Sequence, residues 1–377
     1  MNILVFFGGE SCEHDISVIT GEQLISKCDE YLYNVIPVYI DKSGDWYTGK
    51  KLKDIDVFNS ENWNKLKGVT KCALLPNNNT LYINKRDKYI QGNQIDCAIL
   101  CLHGLRGEDG TIASILEQSK IPYSSTSVLG SSVCMDKGVF KIVCKGLGVN
   151  CVDGFVVSKR EFLSGNEKVL DNIQQLGYPI IAKPCRQGSS IGINVVNTSD
   201  ELYNKLTESF AFDDKLLIEK FLQVDKEVNI ALFKNKDNVV FSNTEEPVGN
   251  DVILSFGDKY LNNAGGFETI KRIVPADIDD KIYNQIIDIS KRLYLELDLF
   301  GVVRFDFLIS DGSLYINEIN TIPGSMANYL FDKSKYNYMD LIEMMISSAL
   351  FRSEQSKKVL KSLDTGVLKS GINGFKK

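Results

Sequence analysis

The sequence lacks the features that mark several classes of protein. Its 377 residues include 43 lysines and arginines against 49 aspartates and glutamates, and the net charge of −6 leaves no basic field for nucleic acid. No apolar run approaches the roughly 20 residues that a membrane-spanning helix requires. We therefore predict that neither nucleic acid nor a membrane is a partner of this chain.

We also expect neither cysteine pairing nor a secretion signal. The nine cysteines are an odd number with no CxxC pair, and several lie in apolar segments such as CAILCL. This pattern is typical of small buried side chains in a reducing cytoplasm, and it argues against a structural zinc site. The first residues, MNILVFFGGE, carry no basic n-region, and their apolar run stops at a glycine pair. They predict a first β-strand in a cytoplasmic protein.

The order of apolar segments predicts an α/β fold, in part α+β. Over residues 1–130, strands such as ILVFF, VIPVYI and CAILCL alternate with helical patterns, which predicts a mainly parallel sheet. A mixed segment follows over 131–218. Residues 219–350 combine long strands with an irregular stretch at 248–270 and one long helical pattern. We interpret the polar end, 351–377, as a partly ordered tail.

The stretch RFDFLISDGSLYINEIN predicts a β-hairpin with an unusual polar face. Apolar residues alternate along both segments, and the Asp-Gly pair between them favours a tight turn. A three-residue loop, 311–313, would place Asp306 opposite Glu318 and Arg304 opposite Asn320, all on one face. Like charges that face each other across a ladder are destabilising. The pairing therefore predicts a cation between the two acids.

The donor atoms on this face are hard oxygens, which suit Mg²⁺ bound together with nucleotide phosphates. Arg304 would add a permanent cation with a bidentate fork for a phosphoryl group or an oxyanion. The alternative is an ordinary polar face in contact with solvent. The segment NTIPG follows directly, and it would aim backbone N–H groups at the same place.

The segment KPCRQGSSIG predicts a phosphate-binding flap. Its glycines allow close approach of the backbone, Ser189 and Ser190 offer hydroxyls, and Lys183 lies just upstream. The segment does not read GxxxxGK[ST], and a strand follows it rather than a helix, so it is not a P-loop. A plain hairpin turn is the alternative.

Two loops, GGESCEHDIS and HGLRGEDGT, each follow an apolar strand and precede a helix, where ligands bind on open α/β sheets. The two histidines of the chain fall one in each loop. Glu13 is either an acid favoured by the helix dipole or an anchor for a substrate ammonium group. His103 is either a loop histidine whose ring is hydrogen-bonded within the protein or a residue of the site. Neither loop reads GxGxxG, so dinucleotide binding loses its main support.

Six segments occur in the order and approximate spacing of one known family: GGESCEHDIS, HGLRGEDGT, MDK, KPCRQGSSIG, LIEKFL and NEINTIPG. Over about residues 1–350 the chain resembles the D-alanine–D-alanine ligases of the ATP-grasp superfamily. The resemblance implies a substrate-binding α/β domain (1–130) followed by a two-part ATP-grasp fold. Its parts are a central lid subdomain (131–218) and a C-terminal subdomain (219–350) with the metal site and a mobile ω-loop.

The activity implied by the resemblance is ATP-dependent peptide-bond formation for peptidoglycan precursors. ATP phosphorylates the carboxylate of a first D-alanine, and the amine of a second D-amino acid, most simply D-alanine, attacks the acyl phosphate. The implied cofactors are ATP and two Mg²⁺ ions, with Mn²⁺ as the alternative metal. The implied assembly is a homodimer.

The motifs also carry residue roles over to this sequence. The implied ATP contacts are Lys137 and Lys183 at the α- and β-phosphates, Ser189 and Ser190 in the loop over them, Glu219, Lys220, Phe221 and Leu222 at the adenine, Glu227 at the ribose and Lys259 at the γ-phosphate. The implied metal ligands are Asp306, Glu318 and Asn320. The implied catalytic residues are Glu13, Ser189, Tyr260, Arg304 and Gly324, and the implied substrate contacts are Glu13, His103, Arg304, Gly324, Asn328 and Tyr329.

One departure from the family pattern concerns the second substrate. Family members commonly read PGxTxxS after NTxPG, and that serine helps to bind the carboxylate of the acceptor. Here the residues are PGSMANYL, so Tyr329 stands at the serine position, with Asn328 and Ser325 as nearby polar candidates. The acceptor therefore stays open among D-alanine, D-serine, D-lactate and another amine. A catalytically silent ATP-binding sensor is a third hypothesis.

Overall fold

The computed structural model describes residues 1–235, 238–248, 271–332 and 335–365. Within these ranges, sixteen strands form three sheets of seven, four and five strands. The predicted site residues Lys259 and Tyr260 lie outside the described residues, as does residue 249 onward of the irregular stretch.

The first sheet has the strand order β6-β5-β4-β3-β2-β1-β7. Its strands are β1 (Asn2–Gly8), β2 (Asn34–Ile40), β3 (Trp46–Thr48), β4 (Thr70–Leu75), β5 (Asn78–Lys85), β6 (Lys88–Gln94) and β7 (Cys97–Leu100). Helices α1 (His14–Lys27) and α2 (Thr111–Gln118) follow β1 and β7, and three short 3-10 helices lie between β3 and β4. The side chains of residues 3–7 in β1 are fully buried, as the apolar run ILVFF predicts for a strand covered on both faces.

The prediction of a mainly parallel first sheet is right only for one end of it, the strands β2, β1 and β7. Strand β1 pairs in parallel with β2 and β7, whereas β3 to β6 extend the sheet by antiparallel pairing. The connection from β2 to β3 spans only residues 41–45. A parallel crossover needs about a dozen residues or more, so this connection can only turn the chain back.

The second sheet has the order β10-β9-β11-β8 and is antiparallel at every pairing. Its strands are β8 (Gly154–Ser158), β9 (Ile180–Pro184), β10 (Asn194–Val196) and β11 (Lys215–Lys220). Helices α3 (Val128–Met135) and α4 (Lys137–Gly146) precede it in the chain and bury side chains in the core of the third sheet. Helices α5 (Lys159–Leu163), α6 (Glu167–Leu176) and α7 (Ser199–Ser209) pack on the second sheet itself. Ile180 and Ala182 of β9 are buried in the core of this unit. The alternation of side chains then places Ile181 and Lys183 on the opposite face.

The third sheet has the order β14-β13-β12-β15-β16. Its strands are β12 (Lys226–Asn235), β13 (Asn238–Pro247), β14 (Arg272–Ile273), β15 (Val303–Ser310) and β16 (Ser313–Asn320). Helix α8 (Asp280–Glu296) shares a buried core with Phe305 and Phe307 of β15. Arg304 and Asp306 alternate with these phenylalanines, so they project from the other face of the sheet.

The predicted hairpin is present, but its turn is shorter than predicted. Ser310 pairs with Ser313, so the loop consists only of Asp311 and Gly312, with φ angles of 48° and 68°. Positive φ at both positions is the geometry that an Asp-Gly pair favours in two-residue hairpin loops. The predicted three-residue loop is therefore wrong.

The predicted pairs Asp306–Glu318 and Arg304–Asn320 are nevertheless confirmed. The ladder shifts register between Asp306 and Phe307, because Phe307 pairs with Ile316 while Asp306 pairs with Glu318. Asn317 is the extra residue of this β-bulge. A bulge re-aims side chains near functional sites, and here it places Asn317 beside Glu318 in the wall of a cavity.

After β16 the chain forms a 3-10 segment (Gly324–Leu330) and then α9 (Tyr338–Lys357). Helix α9 begins with a capping box formed by Asn337 and Asp340. It continues through residue 351, where we predicted the tail to start, and ends at Lys357. No helix in the described part of the chain combines the length and apolar character that a membrane crossing needs.

Candidate active site

Two adjoining cavities lie between the three sheets. The larger, of about 390 Å³, is lined by the predicted ATP contacts within the described ranges: Lys137, Lys183, Ser189, Ser190, Glu219, Lys220, Phe221, Leu222 and Glu227. The smaller, of about 120 Å³, is lined by these predicted substrate and metal residues: Glu13, His103, Arg304, Glu318, Asn320, Gly324 and Tyr329. Ser189, Glu227 and Glu318 line both cavities, so a group held in one lies next to a group held in the other.

Glu219 holds the lysines at one end of the larger cavity. It is 4% exposed and forms ion pairs with Lys183 (2.6 Å) and Lys141. Burial raises the pKa of Glu219, but the charges of Lys183 and Lys141 outweigh it, and the pKa lies below its ordinary value. Lys183 also donates to Oδ1 of Asn317 at 3.2 Å. The side chain of Lys183 is therefore fixed between β11 and the β-bulge of β16.

Lys141 and Asn317 are site residues that the sequence analysis missed. Lys141 lies one turn after Lys137 on α4, is 7% exposed and also donates to the Val152 carbonyl. The spacing of the two lysines on one face of a helix was the available signal. Asn317 had no such signal, because only the bulge turns its side chain toward the cavity.

Lys137 brings a second cation to the same cavity. It is the first residue of α4, where Asp136 caps the helix by accepting from the Val139 N–H. Its Nζ lies 3.3 Å from Oε2 of Glu318 and donates to the Gln187 carbonyl at 2.7 Å. Burial lowers the pKa of Lys137, but Glu318 outweighs it, and the pKa lies above its ordinary value. Two charged lysines thus face the place where phosphates would bind.

The predicted metal ligands form a connected polar group. Asp306 is 2% exposed and accepts from Arg304 through Nε (2.7 Å) and Nη2 (2.8 Å), and from Asn320 at 2.9 Å. Glu318 lies opposite Asp306 in the ladder. In the described part of the chain no group of three His, Cys, Asp or Glu residues is arranged to hold a metal. Two carboxylates and one amide nevertheless fit Mg²⁺, which usually takes few protein ligands and completes its shell with phosphates and water.

Glu13 and the flap segment are in direct contact. Glu13 lies at the N-terminus of α1, is 8% exposed, and accepts from the Ser189 hydroxyl. Ser189 and Ser190 both have left-handed backbones, with φ of 50° and 60°. A Cβ at Gly188 would lie 2.5 Å from Oε2 of Glu13, so only glycine lets the flap come this close. The flap thereby joins the second sheet unit to the first domain.

A buried acid, Glu108, ties the second loop of the first domain to the segment before Gly324. Its two oxygens accept from the backbone N–H groups of Gly104 (3.0 Å) and Ile322 (3.1 Å). Burial, together with the charge of Glu13, raises the pKa of Glu108 to about 8. Its motif was recognised from the sequence, but this residue was not singled out.

His103 lies beside the smaller cavity as a neutral imidazole. It is 5% exposed, and burial lowers its pKa to about 4. Its Nε2 lies 2.8 Å from the hydroxyl of Thr20, and its backbone N–H donates to the hydroxyl of Ser17. His103 therefore lies at the site, and a hydroxyl of α1, that of Thr20, is a hydrogen-bond partner of its ring.

The backbone after Gly324 adopts an uncommon conformation. Residues 325–327 all have left-handed dihedrals, with φ between 47° and 51°, although none is glycine. Such a backbone costs roughly 1–2 kcal/mol per residue. Hydrogen bonds to α1 hold it, because the Ser325 N–H donates to Thr20 and the Ser325 hydroxyl donates to Gln23. The amide of Asn328 donates to the Ser325 carbonyl, and neither Asn328 nor Ser325 lines the smaller cavity.

Comparison with known proteins identifies the family that these two adjoining cavities belong to. Residues 2–126 match the family described as D-ala D-ala ligase N-terminus, and residues 143–347 match D-ala D-ala ligase C-terminus. A protein of Thermosipho melanesiensis named D-alanine–D-alanine ligase is 38% identical over 374 residues, which cover 98% of each chain. The chain belongs to the D-alanine–D-alanine ligase family. The resemblance inferred from the six segments is confirmed.

Solved structures agree on the fold of this ligase family. The D-alanine–D-alanine ligase from Coxiella burnetii has a TM-score of 0.79 at 23% identity, covering 98% of this chain and 99% of its own. The Bacillus anthracis enzyme complexed with ATP has a TM-score of 0.67 at 25% identity, covering 94% and 99%. The predicted α/β class and ATP-grasp fold are confirmed. The domain boundaries and the individual residue roles stay predictions.

Proposed function

We propose that this chain is an ATP-dependent ligase that joins two D-alanine molecules into the dipeptide used for peptidoglycan. The observation that carries the proposal is the match to curated D-alanine–D-alanine ligases over nearly the whole chain. The adjoining cavities support it, because a nucleotide in the larger would present its terminal phosphate near an amino acid in the smaller. We further propose that it works in the cytoplasm as a homodimer.

The first step transfers a phosphoryl group from ATP to the carboxylate of the donor D-alanine. Lys137 and Lys183 are positioned to bind phosphate oxygens, and Glu219 with Asn317 keeps Lys183 in place. Asp306, Glu318 and Asn320 would hold Mg²⁺, which when bound neutralises phosphate charge. Most of the work of such a transfer is positioning and charge stabilisation.

The second step is attack of the acceptor amine on the acyl phosphate. Glu13 would hold the donor ammonium group, and the Ser189 hydroxyl, which donates to the Glu13 side chain, would keep that carboxylate in place. Burial disfavours the charged form of Arg304, but Asp306 outweighs it, so the pKa of the guanidinium lies above its ordinary value. Arg304 and the Gly324 N–H can then stabilise the oxyanion of the tetrahedral intermediate. As the peptide bond forms, the C–O bond to phosphate breaks, and the leaving phosphate takes the bond electrons and the proton that the amine gives up.

The other two hypotheses lose support. The relatives that are 32–38% identical over 95–98% of this chain are named D-alanine–D-alanine ligases, so D-serine and D-lactate are not favoured as acceptors. A silent sensor is not favoured either, because the family is enzymatic and every predicted catalytic residue within the described ranges lies at the cavities.

The test is ADP release by the purified protein with ATP, Mg²⁺ and D-alanine, with the product identified by mass. We expect brisk release and D-alanyl-D-alanine as the product, with little release by a Glu318→Gln control. Release no faster than in that control, or a product that requires another partner, would contradict the proposal.

A further inference from the structure

The wall contributed by β12, β13 and β14 gives the smaller cavity a second set of polar groups. Asn229, Glu245 and Arg272 all line the cavity, one from each of these strands. None of the three was singled out from the sequence. Asn229 and Glu245 are 3% and 2% exposed, so their polar atoms are almost entirely removed from solvent.

Two oxygens of this wall have no hydrogen-bond donor in the part of the chain that the structure describes. Nδ2 of Asn229 donates to Oε1 of Glu245 at 3.1 Å. Because a carboxylate only accepts, this contact fixes the amide orientation and leaves Oδ1 of Asn229 as a second acceptor. Among the described residues, no donor makes a hydrogen bond with Oδ1 of Asn229 or Oε2 of Glu245. A buried acceptor without a hydrogen bond destabilises the folded protein unless a ligand supplies the donor.

The cation of the wall is Arg272. Its Nε lies 3.4 Å from Oε2 of Glu245, which is an ion-pair contact without hydrogen-bond geometry. Its guanidinium carbon lies 4.3 Å from the ring centroid of Tyr329, within cation–π distance. The Tyr329 hydroxyl lies 3.4 Å from Oε1 of Glu245. Tyr329 is therefore a positioning residue that supports both charges.

The wall complements a molecule with one positive and one negative group. We propose, resting on the ligase function above, that Arg272 binds the α-carboxylate of the acceptor amino acid and that Asn229 and Glu245 accept from its α-ammonium group. A zwitterion adds no net charge to the cavity, and it supplies donors to the two buried oxygens. In the family pattern a serine helps to bind the acceptor carboxylate, and this chain has Tyr329 at that position. Arg272 would make the carboxylate contact in its place.

The arrangement also selects among acceptors. D-Lactate carries a carboxylate and a hydroxyl but no ammonium group, so it would leave the charge of Glu245 without its new partner. A site built to pair a polar group rejects the analogue that lacks it, because the buried group is then unsatisfied. The wall therefore favours amino acids over hydroxy acids as acceptors.

The first test separates the acceptor from the donor. In steady-state kinetics with D-alanine, the Arg272→Met variant should raise the acceptor KM by about tenfold or more, since bonds to charged groups are worth this much. The donor KM and the KM for ATP should stay within about twofold of wild type, and Arg272→Lys should recover part of the loss. Arg292→Met, which removes an exposed partner of Glu296, is the matched control and should change nothing.

Equal increases in the donor and acceptor KM, or an unchanged acceptor KM in Arg272→Met, would overturn the inference.

The Glu245→Gln variant tests whether the charge of Glu245 selects the acceptor, with Glu296→Gln as its matched control. With D-alanine and D-lactate at equal concentration, the fraction of the product that is the ester D-alanyl-D-lactate should be about tenfold higher for this variant than for wild type. A wild type that makes both products equally, or a Glu245→Gln variant with the wild-type share, would contradict the assignment. A wild type with no turnover would instead refute the ligase function itself.

Discussion

Gly188 offers the sharpest test of how the flap reaches the first domain. An added Cβ would lie 2.5 Å from Oε2 of Glu13, so the oxygen or the flap has to move by about 0.9 Å to reach an ordinary contact of 3.4 Å. The backbone of Gly188 is not left-handed, unlike that of Ser189, so Gly188→Ala perturbs this contact without straining the chain. Glu13 would then lose its alignment with the Ser189 hydroxyl.

A displacement of this size at a substrate-positioning group costs on the order of 10²-fold in rate. We therefore expect kcat/KM for the donor D-alanine to fall by about 10²-fold in Gly188→Ala, with a much smaller change in ATP binding. Gly146→Ala is the matched control, because a Cβ at this last residue of α4 meets nothing within 4 Å. A Gly188→Ala enzyme within about threefold of wild type would refute the claim that the flap must approach Glu13 this closely.

Three further predictions concern buried charges. Arg304→Ala should lower kcat by about 10²-fold or more with little change in ATP affinity measured by calorimetry, because its charge acts mainly in the transition state; comparable losses of both would contradict that role. Glu219→Gln leaves Lys183 and Lys141 with a neutral partner, so urea unfolding should show a loss of about 3–5 kcal/mol, the cost of breaking a buried ion pair; an unchanged unfolding midpoint would count against it. Burial, aided by Asp54, raises the pKa of Glu22 to about 8, so the native state holds a proton that the unfolded state releases and stability falls as pH rises from about 4.5 to 8. Glu22→Gln should therefore gain stability over wild type at pH 8 relative to pH 5, and equal differences at both pH values would refute this.

The polar hairpin shows how far a sequence pattern can reach. Period-two alternation correctly placed Arg304 and Asp306 opposite the buried phenylalanines, because a strand with one apolar face has one stable orientation. The loop length was wrong and the pairing was right, since the bulge at Asn317 compensates for the shorter turn. A bulge leaves no clear mark in a single sequence, so the role of Asn317 was out of reach.

Four of the missed residues share a physical reason, because each acquires its place through a contact between two strands or two segments. Glu108 meets the backbone of Ile322 from a distant segment, and Asn229, Glu245 and Arg272 meet across neighbouring strands of the third sheet. Local periodicity carries no information on such contacts. Asn328 follows the left-handed turn at 325–327, and its amide donates to the Ser325 carbonyl, so its role in acceptor binding stays a prediction. The antiparallel extension of the first sheet was readable from the short connection at 41–45.

The central claim is that the donor carboxylate becomes an acyl phosphate before the peptide bond forms. The most direct measurement uses D-alanine labelled with ¹⁸O in its carboxylate, with ATP and Mg²⁺, and follows the label by mass spectrometry. One donor oxygen leaves with the phosphoryl group, so we predict one ¹⁸O in the inorganic phosphate for each D-alanyl-D-alanine formed. Dipeptide accompanied by unlabelled phosphate would contradict the account.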